Sequence, residues 1–236
     1  MNKMNADQLS KRLGTVASFL KKPIRFADIG SDHAYLPCYV CQHDEEAFAI
    51  AGELNKGPYL SALEEVEARQ LDRQVKVIQG NGLEVIDERV DQVVIAGMGG
   101  PLITEILNQG KEKLSNINRI IAQPNIDARS IRKWFLANQY NLVNEVILEE
   151  NGHIYEILVG EKGKPDLEYS KRHMNLELWL GPHLIREKNK VFHKKWSEEK
   201  AKKQQIVKQM KKAAEPNQRK IEQFEQEIRW LEEVLQ

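Results

Sequence analysis

Two aspartates flank a glycine at the end of the first strongly apolar segment of the chain. Asp28 lies two residues before Gly30 and Asp32 lies two residues after it, within the stretch Phe26–Leu36. The apolar residues predict a buried parallel strand, and a helical pattern resumes from Ala34. A glycine in such a tight turn lets a ligand approach the backbone closely. The two carboxylates would repel a phosphate but would suit a compact cationic or zwitterionic ligand.

This turn lacks the glycine pattern of dinucleotide-binding proteins. Asp32 and Ala34 stand where the second glycine of Gly-x-Gly-x-x-Gly and its neighbour would be expected, which argues against a pyrophosphate ligand. S-adenosylmethionine carries an amino group and a sulfonium, and it is a ligand of the favoured kind. From the turn alone, an ordinary strand end followed by a helix N-cap is an equally good interpretation.

Another acid closes the next predicted strand. Glu53 ends the apolar run Ala47–Glu53 and follows Asp28 by 25 residues. A carboxylate at this place in a nucleotide-binding α/β unit can accept hydrogen bonds from both ribose hydroxyls, and we favour this role over that of a surface acid. The third strand ends in Gly80-Asn81-Gly82. This is foremost a turn signal, although the amide of Asn81 could also bond the edge of a purine.

Glycines and amides follow the fourth and fifth predicted strands. Gly97-Met98-Gly99-Gly100-Pro101 indicates a backbone that approaches another group closely, and a helix is predicted from Leu102. The exposed N-terminal amides of that helix would make a good floor for a ligand. Gln123-Pro124-Asn125 ends the fifth strand with two amides that can each donate and accept hydrogen bonds.

The elements that position these residues alternate along the chain. Helices are predicted at Ala6–Leu20, Pro58–Gln70 and Ala128–Asn138, and strands at Phe26–Gly30, Ala47–Glu53, Gln74–Gln79, Asp91–Ala96, Arg119–Ala122, Leu142–Glu149 and His153–Val159. Asn151-Gly152 between the last two strands is a strong hairpin signal. Five parallel strands closed by a hairpin are the arrangement of the class I, Rossmann-like methyltransferase sheet. We therefore predict an α/β fold of this class and favour S-adenosylmethionine as its ligand.

The composition changes after residue 163, where we place a domain boundary. Residues 1–163 would form the cofactor-binding domain, and residues 164–236 an all-α coiled-coil domain. Apolar residues step by three and four at Ile221, Phe224, Ile228, Leu231 and Leu235, and a facing stripe is predicted at Phe192, Trp196, Ile206 and Met210. Between Arg186 and Lys212 there are 11 basic and 3 acidic residues. A solvated helix face is one explanation of this excess, and a nucleic-acid clamp is the one that we favour beside a methyltransferase sheet.

Bulk properties exclude several classes of protein. The 236 residues are 41% hydrophobic and 30% charged with zero net charge, which indicates a globular protein. No run approaches the length of a membrane span and the polar start is no signal peptide, so we expect a cytoplasmic protein with no membrane partner. Cys38 and Cys41 lack further nearby ligands for a metal site, and we expect them to be buried packing residues.

These motifs together resemble one family, the bacterial tRNA (adenine(22)-N1)-methyltransferases, which join a class I domain to a C-terminal coiled coil. The resemblance is carried by Asp28-Ile29-Gly30-Ser31-Asp32-His33 with Leu36-Pro37, by Gly80-Asn81-Gly82-Leu83, by Ala96-Gly97-Met98-Gly99-Gly100 and by Gln123-Pro124-Asn125. It covers nearly the whole chain. The Asp-His pair and the Gly-Met-Gly-Gly turn are its specific parts, whereas the first glycine turn is common to many proteins.

The resemblance implies S-adenosyl-L-methionine as cofactor, no metal, and tRNA as substrate. It implies a cofactor site made of Asp28, Gly30, Ser31, Asp32, His33, Glu53, Leu54, Asn81, Gly82, Gly97, Met98 and Gly99. Within this set, the aspartates and His33 would surround the methionine part, Glu53 the ribose and Asn81 the adenine. Gly97, Met98 and Gly99 would form the floor between cofactor and target base.

The chain lacks the Asn-Pro-Pro-Tyr type motif of many amino-methylating enzymes, which fits a target nitrogen that bears a lone pair and no proton. Attack by adenine N1 needs alignment and no general base. Its product is a cation, so hydrogen-bond acceptors near the base would stabilise it, and Gln123 and Asn125 are the candidates. The base must be unpaired or flipped to react.

RNA contacts are expected on the basic helix and at one position near the site: Arg12, Lys194, Lys195, Lys200, Lys202, Lys203, Lys208 and Lys211. We expect a monomer. Two alternatives remain at this point. One is a methyltransferase of a small molecule or protein that uses the coiled coil for dimerisation. The other is a non-enzymatic RNA-binding protein, against which the intact Asp28, Glu53 and Asn81 argue.

Overall fold

The computed structural model describes residues 6–163, 169–170, 173–213 and 215–236. The chain divides into two compact units. The first contains the residues up to Val146 and the segment that begins at Tyr155, and the second contains Ile147–Ile154 and the residues from Tyr169 to Gln236. The predicted boundary after residue 163 adjoins residues 164–168, which lie outside the described residues.

The first unit is built on a seven-stranded sheet in the order β3-β2-β1-β4-β5-β7-β6. The strands are β1 Arg25–Ile29, β2 Phe48–Glu53, β3 Val75–Gln79, β4 Gln92–Gly99, β5 Arg119–Ile126, β6 Tyr140–Glu150 and β7 His153–Lys162. Strands β1 to β5 pair in parallel and β7 runs antiparallel to β5. The predicted class I sheet is confirmed. Because the strand order reverses between β1 and β4, a crevice is expected at the carboxyl ends of these two strands.

Helices α1 Lys11–Ser18, α2 Tyr35–His43, α3 Lys56–Ala68, α4 Gly100–Gln109 and α5 Ala128–Ala137 accompany the sheet. Local sequence explains where several begin. The Ser10 hydroxyl accepts a hydrogen bond from the Leu13 amide at 3.2 Å and caps α1. Asp127 caps α5 in the same way, since its side chain accepts a hydrogen bond from the Ser130 amide. Short 3₁₀ helices occupy Gly82–Val85 and Lys111–Asn116.

Close packing of α4 on α5 depends on a glycine. A Cβ atom added to Gly100, the first residue of α4, would lie 2.1 Å from the carbonyl oxygen of Asp127. That oxygen belongs to the backbone, so it cannot move aside as a flexible side chain would. The glycine therefore fixes how near the start of α4 comes to the residue that follows β5, and the carboxyl ends of both strands carry predicted site residues.

A buried charge cluster joins α5 to the base of the β6–β7 hairpin. Arg132 is completely buried, and its guanidinium pairs with Glu145 and Glu156 at 2.5 Å each. One cation between two anions stabilises the fold only while all the groups are present, since removal of one partner leaves an uncompensated buried charge. Cys38 and Cys41 are buried free thiols, as expected, and burial raises the pKa of each to about 12.

The second unit packs four helices and the hairpin tip around one apolar cluster. The helices are α6 Met174–Leu180, α7 Pro182–Glu187, α8 Lys190–Met210 and α9 Gln218–Val234. The cluster contains Ile147 of the tip together with Leu176, Leu180, Leu184, Phe192, Trp196, Leu231 and Val234. The first two helices were not predicted, since each is shorter than two full turns of recognisable periodicity.

The predicted pairing of the long helices α8 and α9 is confirmed, but part of its seam is wrong. Val207 is buried, whereas the predicted Ile206 is 41% exposed. A helix has 3.6 residues per turn, so a stripe extended from Trp196 in steps of three and four drifts around the helix and reaches the neighbouring residue. Among the described residues, no helix is long and apolar enough to cross a membrane.

Candidate active site

A cavity of about 410 Å³ opens at the carboxyl ends of β1, β2, β3 and β4. It is lined by Ile29, Gly30, Gly52, Glu53, Leu54, Asn55, Gly80, Asn81, Gly82, Met98, Leu102, Glu105, Ile106 and Gln109. A smaller hollow of about 180 Å³ shares Gly30 and Met98 with it and is also lined by Arg12, Asp28, Ser31, Asp32 and Gly97. Ten of the twelve predicted cofactor residues line these two adjoining spaces, whose size suits a small organic ligand, whereas His33 and Gly99 line neither.

Met98 lies directly over Gly30, between the two spaces. Gly30 has a φ of 71°, which favours glycine, and a Cβ atom added there would lie 2.3 Å from the terminal methyl of Met98. Any other residue at position 30 would force this thioether side chain to move. A methionine is flexible, so it can adjust its contacts with groups placed on either side.

Asp28, at the end of β1, is a carboxyl group that lacks compensation for its burial. It is 4% exposed, and burial raises its pKa to about 7, with the nearby carboxylate of Glu53 adding to the rise. The Ser31 hydroxyl and the Arg12 guanidinium act in the opposite direction but do not cancel the effect of burial. A cationic group bound beside Asp28 would favour the ionised carboxylate.

The turn after β1 is conformationally strained. Asp32, His33 and Ala34 have φ values of 45°, 70° and 56°, a left-handed conformation that residues other than glycine rarely adopt in succession. Ala34 occupies the N-cap position of α2 and forms no side-chain capping bond, so the simple helix-cap interpretation of this turn is wrong. The Asp32 amide instead donates a hydrogen bond to Glu53. This hydrogen bond thus links the strained turn after β1 to the end of β2.

The residues predicted to bind ribose and adenine lie along one wall of the larger cavity. Glu53 is 6% exposed, and burial raises its pKa. Leu54 is exposed beside it, and Asn81 forms a capping box with Glu84, donating its amide to the Glu84 carboxylate at 3.2 Å. The capping box holds the Asn81-Gly82 turn in place at the cavity wall.

The opposite wall comes from α4 and was missed by the sequence analysis. Leu102, Glu105, Ile106 and Gln109 recur at helical spacing and line the cavity, and Leu102 is 48% exposed. The available signal was the spacing of Leu102, Glu105 and Ile106, which places them on one face of the helix that follows the glycine-rich turn. Leu102 and Ile106 supply apolar surface on which a flat ring could lie.

Gln123 and Asn125 together hold the backbone of Gly97. The side-chain oxygen of Gln123 accepts from the Gly97 amide at 3.1 Å and from the guanidinium of Arg12. The Asn125 side chain donates to the Gly97 carbonyl oxygen at 2.7 Å. Gln123 is completely buried, and two donors already occupy its oxygen. The geometry therefore supports a positioning role for Gln123 more directly than acceptance of charge from a substrate.

Arg12 is held at the site by a second contact that the sequence did not predict. Its guanidinium lies over the ring of Tyr155, 5.4 Å from the ring centroid. A cation over an aromatic face gains electrostatic stabilisation, so Tyr155 helps to orient the same group that bonds Gln123. Tyr155 could not be recognised beforehand because it follows the hairpin turn and is far from Arg12 in sequence.

The lysines predicted to contact RNA lie in the second unit and fall into two groups. Lys194, Lys203 and Lys211 form ion pairs with Glu149, Glu227 and Glu225, and Lys195 lies over the ring of Trp196. Lys203 has a side chain only 12% exposed, and it also lies over Trp179 and Phe224. Lys200, Lys202 and Lys208 have no ion pair within the described part of the chain.

Among all the residues that the structure describes, no cluster of three or more metal-ligating side chains occurs.

Comparison with known proteins gives a consistent family. The sequence profile of the tRNA (adenine(22)-N(1))-methyltransferases matches residues 26–233. The tRNA (adenine(22)-N(1))-methyltransferase of Bacillus subtilis is 46% identical over 98% of this chain and 99% of its own. The crystal structure of the B. subtilis M1A22 tRNA methyltransferase TrmK has a TM-score of 0.91, with 45% identity over 97% of this chain and 99% of that one.

Sp1610 of Streptococcus pneumoniae, solved in complex with S-adenosyl-L-methionine, has a TM-score of 0.85 and 38% identity, and the match covers 97% of this chain and all of that one. The profile match, the identity over nearly the full length and the shared fold agree. This chain therefore belongs to the tRNA (adenine(22)-N(1))-methyltransferase family.

Proposed function

We propose that this chain transfers the methyl group of S-adenosyl-L-methionine to N1 of adenine 22 in tRNA. The observation that carries the proposal is the buried, uncompensated carboxyl of Asp28 beside a ligand-sized cavity whose second strand end bears Glu53. An uncompensated carboxyl suits a cationic ligand, and an acid at the second strand end suits an unphosphorylated ribose. Membership of the tRNA (adenine(22)-N(1))-methyltransferase family supports tRNA as the substrate that is methylated at this site.

The cofactor site divides along the sheet edge. Asp28, Ser31 and Asp32, around Gly30, would hold the methionine part in the smaller hollow, and His33 follows them in the same turn. Glu53 and Leu54 would hold the ribose, and Asn81 and Gly82 the adenine, with the apolar residues of α4 on the opposite side. Gly97, Met98 and Gly99 would separate this site from the target base. The cofactor supplies an electrophilic methyl group on a sulfonium.

Alignment is the main contribution of the protein to methyl transfer. Adenine N1 is a neutral nitrogen with an in-plane lone pair, so no residue needs to remove a proton. Gln123 and Asn125 fix the Gly97 peptide on both of its sides, and Arg12 fixes Gln123. These contacts would keep the turn that lies between cofactor and base in one conformation, so that the reacting atoms meet in line.

The helices of the second unit would bind the tRNA backbone. Lys200, Lys202 and Lys208 are the best candidates because no acidic partner offsets their charge within the described residues. Lys194 and Lys211 remain candidates since their side chains are about half exposed despite their ion pairs. Lys203 is packed between α8 and α9, which makes it a weaker candidate. The cytoplasmic location and the monomeric state stay predictions, and sedimentation of the purified protein would test the latter.

The test is methyl transfer from labelled S-adenosylmethionine to unmodified bacterial tRNA, followed by nuclease digestion and identification of the labelled nucleoside. We expect N1-methyladenosine, and no label in the same tRNA with guanine in place of adenine 22. Label in another nucleoside, or equal label in the guanine variant, would contradict the proposed target. Absence of label with intact cofactor binding by calorimetry would direct the search to small-molecule or protein substrates.

The RNA surface has its own test. Reversing two charges with Lys202→Glu and Lys208→Glu should weaken tRNA binding. The slope of log affinity against log salt concentration should also become shallower by the equivalent of about two phosphate contacts. Cofactor affinity should stay unchanged. The matched control is Lys111→Glu with Lys133→Glu, which reverses two exposed charges of the first unit. Equal tRNA affinity in the two double variants would exclude the second unit as the binding surface.

A further inference from the structure

A second cavity lies at the sheet edge opposite to the candidate active site, and we name it the edge cavity. It has a volume of about 320 Å³ and opens at the amino ends of β4 and β5 and the carboxyl end of β7. Arg119, the first residue of β5, and Asp91, which immediately precedes β4, both line it. The amides of Asn118 and Arg119 donate to the Asp91 carbonyl oxygen at 2.8 and 3.3 Å, which fixes these residues beside one another.

Arg119 presents unused hydrogen-bond donors to this space. Its side chain is only 10% exposed, and one terminal nitrogen pairs with Glu161 at 2.9 Å. Its Nε and its other terminal nitrogen are buried and have no hydrogen-bond partner among the residues that the structure describes. These two nitrogens lie on different edges of the planar guanidinium, so each can donate separately to an anionic acceptor such as a phosphate or carboxylate oxygen. A buried donor without a partner is costly, so an acceptor is required here.

Asp91 presents the opposite requirement. One of its carboxylate oxygens is buried and has no partner in the described part of the chain, and Asp91 and Arg119 form no ion pair with each other although they line the same cavity. A ligand that satisfies both groups must therefore carry an anionic acceptor and a separate donor. Inorganic phosphate also has a P–OH donor, but that donor would bring the charge of the phosphate itself against Asp91 and Glu161, whereas a ribose hydroxyl is an uncharged donor.

The surrounding charges favour an anion. Lys21, Lys22 and Lys162 also line the cavity. Lys21 pairs with Glu161 and Lys22 pairs with Asp44, so four cations including Arg119 face the three carboxylates of Asp44, Asp91 and Glu161, an excess of one positive charge. Lys162 is held in place by the carbonyl oxygens of Leu114 and Ser115, at 2.9 and 2.6 Å. The resulting positive potential attracts a phosphate, and the remaining carboxylate oxygen selects for a neighbouring hydroxyl.

We propose that the edge cavity binds a ribose phosphate, with the phosphate accepting hydrogen bonds from Arg119 and a ribose hydroxyl donating to Asp91. The cavity volume accommodates a group of this size. The ribose phosphate comes either from a free nucleotide or from the backbone of the tRNA. In both cases it lies at the end of the strands remote from the methyl-transfer chemistry, so its binding can be measured separately.

The test is calorimetric titration of the full chain with uridine 5′-monophosphate in the presence of saturating S-adenosylhomocysteine, which occupies the candidate active site. We expect saturable binding, and at least tenfold weaker binding of inorganic phosphate and of uridine. Arg119→Gln should lower the affinity for the nucleotide at least tenfold, whereas Arg73→Gln, at an exposed arginine outside the cavity, should not change it. Asp91→Asn should weaken nucleotide binding more than phosphate binding.

Asn118→Asp is a second cavity variant, which keeps the test valid if Arg119→Gln fails to fold. Asn118 is exposed at the cavity rim, so its replacement should not disturb the fold. The added carboxylate should weaken nucleotide binding while the melting temperature stays near that of the wild type. Lack of nucleotide binding at millimolar concentration, or equal affinity in wild type, Arg119→Gln and Asn118→Asp, would overturn the proposal. If tRNA displaces the nucleotide, the bound unit belongs to tRNA; if both bind together, it is a free nucleotide. Either of these two results upholds the site.

Discussion

Replacing the buried carboxyl of Asp28 with an amide should make the protein more stable and should weaken its binding of the cofactor. Burial raises the pKa of Asp28 from 3.8 to about 7. Between these pH values the folded protein retains a proton that the unfolded chain has released, so the stability of the wild type falls as the pH rises through this window. Each pH unit is worth about 1.4 kcal/mol, so the window accounts for about 4 kcal/mol.

Asp28→Asn removes this penalty because an amide does not ionise. Urea unfolding of the cofactor-free proteins should show similar stabilities near pH 4 and a growing advantage of Asp28→Asn up to about pH 7, with a plateau above it. The advantage at pH 8 should be about 4 kcal/mol at most, since the amide must find its own hydrogen bonds. Asp72→Asn, at an exposed position, is the control for loss of a carboxyl group and should show no such trend.

Cofactor binding should change in the opposite direction. A cationic ligand favours the ionised carboxylate, so the affinity of the wild type for S-adenosylmethionine should fall by up to tenfold for each pH unit below about 7. Asp28→Asn should bind weakly at every pH. The reasoning would be refuted if Asp28→Asn were no more stable than the wild type at pH 8, or if its cofactor affinity were unchanged.

Three further perturbations have definite expected outcomes. Gly100→Ala should lower the free energy of unfolding by about 3 kcal/mol or more, because the new methyl group would meet the Asp127 backbone; a change in urea unfolding below about 0.5 kcal/mol would contradict the close approach. Arg132→Met should cost about 3–5 kcal/mol at pH 8 and less at pH 5, where its two buried carboxylate partners can take up protons, whereas Lys133→Met on the exposed face of the same helix should cost little. Glu53→Gln should weaken cofactor binding about tenfold or more in calorimetry without lowering the melting temperature, and retention of full affinity would exclude the ribose contact.

Much of the fold follows from strand and helix periodicity. Apolar runs that alternate with helices predict parallel strands, and Asn151-Gly152 predicts the hairpin, with both residues at positive φ as such a turn requires. The positions of Asp28, Glu53 and Asn81 could be predicted because the ends of parallel strands converge at one sheet edge. Each strand end can be recognised from the residues next to it in sequence, and pairing of the strands in the sheet then brings these residues together.

Other features depend on contacts between distant residues and could not be predicted. The two donors that occupy the Gln123 oxygen come from Gly97 and Arg12, which belong to separate elements, so the sequence showed an amide but not its existing hydrogen bonds. The position of Met98 over Gly30 likewise depends on how two turns meet. On α8, Val207 is buried where Ile206 was predicted to be. Over three turns, apolar spacing alone does not determine which of two neighbouring residues faces the partner helix.

The tip of the β6–β7 hairpin has a consequence for how this architecture could arise in evolution. Because Ile147–Ile154 belongs to the second unit, the polypeptide passes from one unit to the other three times. A gene fusion that appended helices after the last strand would have supplied only part of the second unit, since Ile147 contributes to its apolar cluster. A protein cut back to its sheet-forming sequence would therefore retain Ile147–Ile154, a segment of the second unit without the helices against which Ile147 packs.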